Sequence, residues 1–138
     1  MAGALTVAER LIEGTNAHDL EAMLACFHQD YRSEQPAHPA RTFQGTEQIR
    51  TNWSALLKAV PDIHWEVLRS AERADEAWVE ARLKGTLGNG ARLNEIGVAI
   101  FGVRDDKIAW ARLYLEEIET NGGDIDAAVQ PMAGREAG

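Results

Sequence analysis

The chain has 138 residues, which is enough for one domain with a sizeable buried core. Hydrophobic residues make up 45% and charged residues 26%, a composition typical of globular rather than disordered proteins. The net charge of −8 argues against a nucleic-acid partner, which needs clustered Lys and Arg, and against an anionic membrane surface.

The first part of the chain is predicted to be helical. Thr6-Val7-Ala8-Glu9 fits a capping box, so we expect Thr6 to cap a helix that ends near Asn16. Asp19 is the predicted cap of a second helix, with Phe27 on its apolar face. A short strand around Tyr31 to Gln35 and a loop should follow.

The rest of the chain predicts one helix and then strands. Thr46 should cap the third helix, which Pro61 stops. Helices followed by antiparallel strands predict an α+β domain of residues 1–120, with its helices on one face of the sheet. Residues 121–138 are rich in Gly, Ala and charge, and we expect them to form a mobile tail. The predicted strands are Ile63 to Ser70, Ala77 to Leu87, Arg92 to Val103 and Lys107 to Ile118.

Cysteine usage and the absence of targeting patterns bear on location. Cys26 is the only cysteine, so no intrachain disulfide can form, and we interpret it as a small core residue. The N-terminus has no signal-peptide pattern, and no apolar run approaches the roughly 20 residues that span a bilayer. We therefore expect a soluble cytoplasmic protein.

The segment Glu34-Gln35-Pro36-Ala37-His38-Pro39 places a carboxylate, an amide and an imidazole close together. Proline fixes its own φ and keeps the preceding residue out of the helical region, so we expect stiff extended backbone here. Side chains held on stiff backbone suit a reactive site. The segment predicts a functional site without identifying its ligand.

Three motifs stand in an order that indicates a known fold. They are Asn16-Ala17-His18-Asp19-Leu20-Glu21-Ala22, Phe43-Gln44-Gly45-Thr46-Glu47-Gln48-Ile49-Arg50, and Gly97-Val98-Ala99-Ile100-Phe101 followed by Asp105-Asp106-Lys107-Ile108. Together they cover roughly Thr6 to Glu119 and resemble the SnoaL-like, or nuclear transport factor 2-like, superfamily, which includes ketosteroid isomerase and polyketide cyclases. The resemblance implies a cone in which a curved, mainly antiparallel sheet wraps three helices around an apolar pocket.

The implied pocket would hold an apolar small molecule. The resemblance turns one face of each of the last two strands inward, where small side chains either leave room for a ligand or let a helix approach closely. The predicted ligand contacts are Leu11, Phe27, Tyr31, Gln35, Trp53, Leu57, Ala99, Phe101, Ala111 and Leu113.

Positions that carry catalysis in the relatives hold different residues here. The resemblance places Gln35 where ketosteroid isomerase keeps its carboxylate base, and Gln cannot take a proton. Leu11 and Ala99 stand where that enzyme has its two donors. Leu113 stands where the epoxide hydrolases of this fold need an Asp. The resemblance therefore does not transfer these mechanisms.

A different polar set remains for acid–base chemistry, namely Glu34, His38 and Glu95. A bulge or shifted register would turn Glu34 into the pocket, and otherwise it is a solvated rim residue. His38 either exchanges protons near neutral pH or bonds to backbone as a loop histidine. Glu95 ends an inward-facing row, where burial would raise its pKa, or it is a strand end in solvent.

The opposite face of the sheet is too apolar for a monomer surface. We expect a homodimer that packs sheet to sheet through Trp78, Ile96, Val98, Ile100, Trp110, Arg112 and Tyr114. The sequence has no His or Cys metal pattern and no phosphate-binding loop, so we expect neither metal nor cofactor.

Three functions remain open at this point. The leading hypothesis is a SnoaL-like enzyme that isomerises, cyclises or hydrates a largely apolar metabolite by cofactor-free acid–base chemistry. The second is a non-catalytic binding protein that uses the same pocket, and the third is a dimeric interaction module.

Overall fold

Four helices and six strands make up the described part of the chain, residues 2–137, with side chains described as far as residue 134 in this computed structural model. The helices are α1 (Ala4–Asn16), α2 (Leu20–Leu24), α3 (Thr46–Ala59) and α4 (Ile125–Ala137). The strands are β1 (Phe27–Glu34), β2 (Phe43–Gln44), β3 (His64–Arg73), β4 (Glu76–Thr86), β5 (Arg92–Arg104) and β6 (Lys107–Glu117).

The helix starts correct two predicted caps. Helix α1 begins at Ala4 with Gly3 as its cap, so Thr6 lies inside the helix and the predicted capping box is wrong. Gly45 caps α3, because its φ of 93° is a conformation that favours glycine. The Asp19 cap is confirmed, since its carboxylate accepts a hydrogen bond of 3.1 Å from the Ala22 N–H.

The six strands form one mixed sheet in the order β2-β1-β6-β5-β4-β3. Strand β1 runs parallel to β6, and the other neighbouring strands are antiparallel. Strand β1 begins at Phe27, earlier than predicted, because α2 ends at Leu24. The α+β architecture is confirmed, with α1 lying across β3, β4, β5 and β6.

The main core lies between α1 and the inner face of the sheet. Helix α1 buries Val7, Ala8 and Leu11 in one cluster with sheet residues. Many of those sheet residues are small, which lets the helix approach the strands closely. For Ala99 and Ala111 this agrees with the interpretation that small inward side chains let a helix approach closely, rather than leaving room for a ligand. The sheet alanines in the cluster are Ala77, Ala81, Ala99 and Ala111.

The end of the chain differs from the predicted tail. Residues Ile125–Ala137 form α4 even though Pro131 lies within it. Among the described residues, α4 packs extensively against no other element, and its Ile125 is 74% exposed. The division at residue 120 stays a prediction, and residue 138 lies outside the described residues. No helix in the described part, α4 included, is long and apolar enough to cross a membrane.

Candidate ligand-binding site

An inner cavity of about 210 Å³ lies between α1, α3 and the sheet. Its wall is mainly apolar and aromatic, and none of the described residues that line it carries a formal charge. Larger hollows of about 410 and 540 Å³ lie elsewhere, but charged side chains surround them and they are open to solvent. Ligand pockets are typically concave and apolar with a few convergent polar groups, which matches the inner cavity.

Most of the predicted ligand contacts line this cavity. Three do not: Ala99 and Ala111 are buried in the main core, and Leu57 is partly buried against it. Contact with a ligand stays a prediction for all of them. The predicted residues that line the cavity are Leu11, Phe27, Tyr31, Gln35, Trp53, Phe101 and Leu113.

Sequence reasoning missed other parts of the wall. Alternation with Tyr31 and Gln35 could have found Ser33, which lies between them on β1. Asn52 follows Ile49 by one helical turn on α3, so helical spacing could have found it. The remaining missed residues are Thr15, Met23, Phe43, Ile49, Leu56 and Trp65.

Strand β1 supplies a polar row to the cavity wall. Tyr31, Ser33 and Gln35 all line the cavity. Burial raises the pKa of Tyr31 to about 12, although the neighbouring Ser33 hydroxyl partly opposes this rise, so the phenol stays neutral at physiological pH. The Tyr31 ring packs edge-on against Phe27, with 4.7 Å between ring centroids. This packing fixes the position of the hydroxyl.

The structure places Gln35, and not Glu34, at the cavity. The register of β1 on β6 shifts between Phe27 and Arg32, and beyond that shift Glu34 pairs with Arg112. The Glu34 carboxylate lies 3.5 Å from the Arg32 guanidinium and 3.7 Å from that of Arg112. Glu34 lies beside these two arginines and does not line the cavity. The prediction that a shifted register turns Glu34 inward is therefore wrong.

The proline-rich segment is a turn, which corrects the expectation of extended backbone. The His38 N–H donates a 2.7 Å hydrogen bond to the Gln35 carbonyl, and a 3-10 helix follows at Pro39–Arg41. The turn carries His38 to Glu116 at the end of β6, with 2.7 Å between imidazole Nε2 and Oε1. His38 therefore lies outside the cavity wall, with a carboxylate as its partner.

Glu95 lies in the inward row of β5, paired in register with Leu83 and Glu117. Burial raises the pKa of Glu95, and the carboxylates of Glu116 and Glu117 raise it further, while Arg41 opposes them. Glu95 and His38 thus share Glu116 as a neighbour, but Glu95 does not line the cavity. Proton transfer by Glu34, His38 or Glu95 stays a prediction.

The chemistry available at the site follows from these side chains. Within the described residues, no group of three or more His, Cys, Asp and Glu side chains could hold a metal ion. The cavity itself offers hydrogen bonds from a phenol, a hydroxyl and amides on an apolar wall. Such a wall can bind and orient a ligand. The candidate acid–base residues Glu34, His38 and Glu95 lie outside it.

Comparisons with known proteins agree with this architecture. A family model described as a SnoaL-like domain matches residues 8–111, more than half of the chain. No curated protein matches the sequence significantly. Several solved structures share the fold at low sequence identity.

An LEH-like epoxide hydrolase of Mycobacterium tuberculosis is 17% identical, with a TM-score of 0.72 over 82% of each chain. A protein of Burkholderia pseudomallei described as NTF2-like and of unknown function is 14% identical, with a TM-score of 0.72 over 84% of this chain and 92% of that one. A protein of Catenulispora acidiphila with a ketosteroid isomerase-like fold, solved with trimethylamine, is 16% identical. Its TM-score is 0.68 over 78% of this chain and 83% of that one. At these identities the likeness concerns the fold.

Proposed function

Because the chain belongs to the SnoaL-like domain family, we propose that it binds a small, largely apolar metabolite in the inner cavity. The observation that carries the proposal is the cavity of about 210 Å³ with an apolar wall and a polar row on β1. Drug-sized ligands usually occupy pockets of roughly 300–1,000 Å³, so the ligand should be smaller than these.

The four tryptophans allow a direct test of binding. Trp53 and Trp65 line the cavity, whereas Trp78 and Trp110 lie on the outer face of the sheet. Titration with cyclohexanone, followed through the indole N–H signals by NMR, should shift the first pair and leave the second pair unchanged. Equal shifts of all four signals, or none, would contradict the proposal.

A filled cavity provides the matched control. Leu113 lines the cavity, and Leu113→Phe should occupy part of its volume and weaken cyclohexanone binding by about tenfold. Leu87→Phe makes the same change at an exposed position of the β4–β5 hairpin and should leave binding unchanged. A folded Leu113→Phe variant that binds as well as the wild type would place the ligand elsewhere.

Acid–base catalysis is the second candidate function. The half-buried Glu95 with its raised pKa favours it, together with the His38–Glu116 pair beside it. Glu95 and His38 lie outside the cavity wall, so this function requires one of them to reach the ligand. Deuterium uptake next to the carbonyl of cyclohexanone in heavy water should then be faster with the protein than without it. Glu95→Gln should remove that acceleration, and His38→Gln should reduce it. No acceleration by the wild-type protein would leave binding as the function.

A second copy of the chain is the proposed partner of the outer sheet face. Trp78 is 42% exposed and Tyr114 40% exposed on that face, although Ile100 between them is already buried. Glu80, Arg82 and Lys84 on β4 give the same face charges of both signs, which suits a self-complementary contact. The cavity favours a small-molecule role over an interaction module, because it leaves room for a ligand.

A further inference from the structure

The orientation of the Gln35 amide is fixed from outside the cavity. Arg41 Nη1 lies 2.9 Å from Gln35 Oε1. A guanidinium has only donors, so the amide must turn its carbonyl oxygen toward Arg41. Gln35 also lines the cavity, and its Nε2–H₂ is the half of the amide that remains for a ligand.

A second donor lies on the same wall. Tyr31 on β1 and Gln35 directly after β1 line the same wall, with Ser33 between them. Burial raises the pKa of Tyr31 to about 12, so the phenol keeps its proton at neutral pH. Tyr31 lines the cavity, so its O–H is available as a donor to a ligand there. Gln35 and Tyr31 can therefore each donate a hydrogen bond to a ligand in the cavity.

The charge of the wall limits the ligand further. None of the described residues that line the cavity is charged. An ionised ligand would lose its hydration without gaining a counterion in direct contact, which is unfavourable. An uncharged ligand with a hydrogen-bond acceptor avoids that cost and satisfies both donors.

We infer that Gln35 is the specificity-determining residue of the cavity and that Arg41 is its positioning residue. Together they select an uncharged ligand with an acceptor oxygen, such as a ketone or an ester, whose oxygen lies against Gln35 and Tyr31. This inference rests on the proposed binding function. In this inference Gln35 donates a hydrogen bond to the ligand. The carboxylate that the family resemblance places at this position would instead accept one.

Two isosteric probes test the inference. Cyclohexanone and methylenecyclohexane have the same shape, but only the ketone accepts a hydrogen bond. One hydrogen bond of ordinary strength corresponds to a preference of about two- to tenfold for the ketone. Titrations followed through the Trp53 and Trp65 indole signals should show that preference in the wild-type protein.

Four variants assign the preference to the two residues. Gln35→Leu should remove the preference for the ketone while methylenecyclohexane still binds. Arg41→Met should lower it, because the amide is then free to rotate, and Arg41→Lys should retain it by keeping a donor on Oε1. Arg73→Met is the control, since Arg73 is an exposed arginine at the end of β3.

The outcomes separate this inference from the binding function. If neither probe shifts Trp53 or Trp65, both proposals fail. If both probes bind with equal affinity, the cavity binds ligands but the inference fails. Tighter binding of cyclohexanecarboxylate that disappears in Arg41→Met would also overturn it, because Arg41 would then act as an anion receptor.

Discussion

Glu95 lowers the stability of the folded chain at neutral pH, where its carboxylate is ionised. Its carboxylate is half-buried in the inward row of β5, close to Glu116 and Glu117. Burial and the like charges of Glu116 and Glu117 disfavour the ionised form of Glu95 and raise its pKa. Arg41 lowers the pKa, but it offsets these effects only in part. A residue that works against stability at neutral pH is a candidate for function.

The pH dependence of stability tests this view of Glu95. A raised pKa means that the folded state holds the proton more tightly than the unfolded state. The stabilising contribution is thus full below about pH 4.3 and is lost as pH rises through the folded pKa. Glu95→Gln should raise the thermal midpoint at pH 7 by about 1–2 °C, a small gain because solvent screens a half-exposed group.

Melting curves from pH 4 to pH 8 check the prediction for Glu95. The gain from Glu95→Gln should shrink toward zero at the acid end of this range. Glu119→Gln serves as the matched control, because Glu119 is exposed after β6. A gain for Glu95→Gln that is the same at every pH would show that ionisation is not its cause.

Sequence reasoning predicted part of the cavity wall but not the position of Glu34 and His38 outside it. Phe101 and Leu113 followed from a period of two along the last two strands together with the family resemblance, and the resemblance alone placed Gln35. The choice between Glu34 and Gln35 depended on where β1 shifts its register against β6, a strand far along the chain. The arginines that hold Glu34 outside are likewise visible only in the folded chain.

At the scale of elements, α1 is anchored by a side chain from the sheet. The Glu72 carboxylate on β3 accepts a 2.8 Å hydrogen bond from the Leu5 N–H in the first turn of α1. The Gly3 cap has no side chain to do this, and the first turn has no acidic residue of its own. A carboxylate there satisfies a donor and lies favourably in the helix dipole. Local sequence favoured Thr6 and Glu9 because it cannot reveal such a distant partner.

Replacing Glu72 should therefore weaken the whole domain. Glu72→Ala leaves the first turn of α1 without its acceptor and should lower the free energy of unfolding by about 1 kcal/mol. Urea denaturation measures the change. Glu9→Ala is the control, because Glu9 is exposed within α1 and its loss should change stability by less than about 0.5 kcal/mol. A larger effect at Glu9 would restore the capping box.

At the scale of the whole molecule, the two faces of the sheet differ in what covers them. The inner face carries the core and the cavity, while the outer face exposes Trp78 and Tyr114. The order of the sequence motifs predicted the sheet and its helices. The short strand β2 and helix α4 escaped prediction, because two residues give no periodicity and α4 packs extensively against none of the other described elements.

A charge on the outer face should separate the proposed dimer. Tyr114→Asp buries a carboxylate in the proposed contact and should raise the dimer dissociation constant at least about tenfold. Sedimentation velocity should then show a monomer at concentrations where the wild type is a dimer. Val129→Asp on α4 is the control, because Val129 is also exposed and apolar. Dissociation by Val129→Asp alone would assign the contact to α4.

The parallel pairing of β1 with β6 has a consequence for how the protein is made. Phe27 lies against Ile108, so the two partners are about 80 positions apart, and such distant pairings form slowly. During synthesis from the N-terminus, β1 must wait for nearly the entire domain to leave the ribosome before its neighbour exists. The nascent chain therefore exposes Tyr31 and Phe27 until β6 arrives, and the cavity can form only as one of the last events of folding.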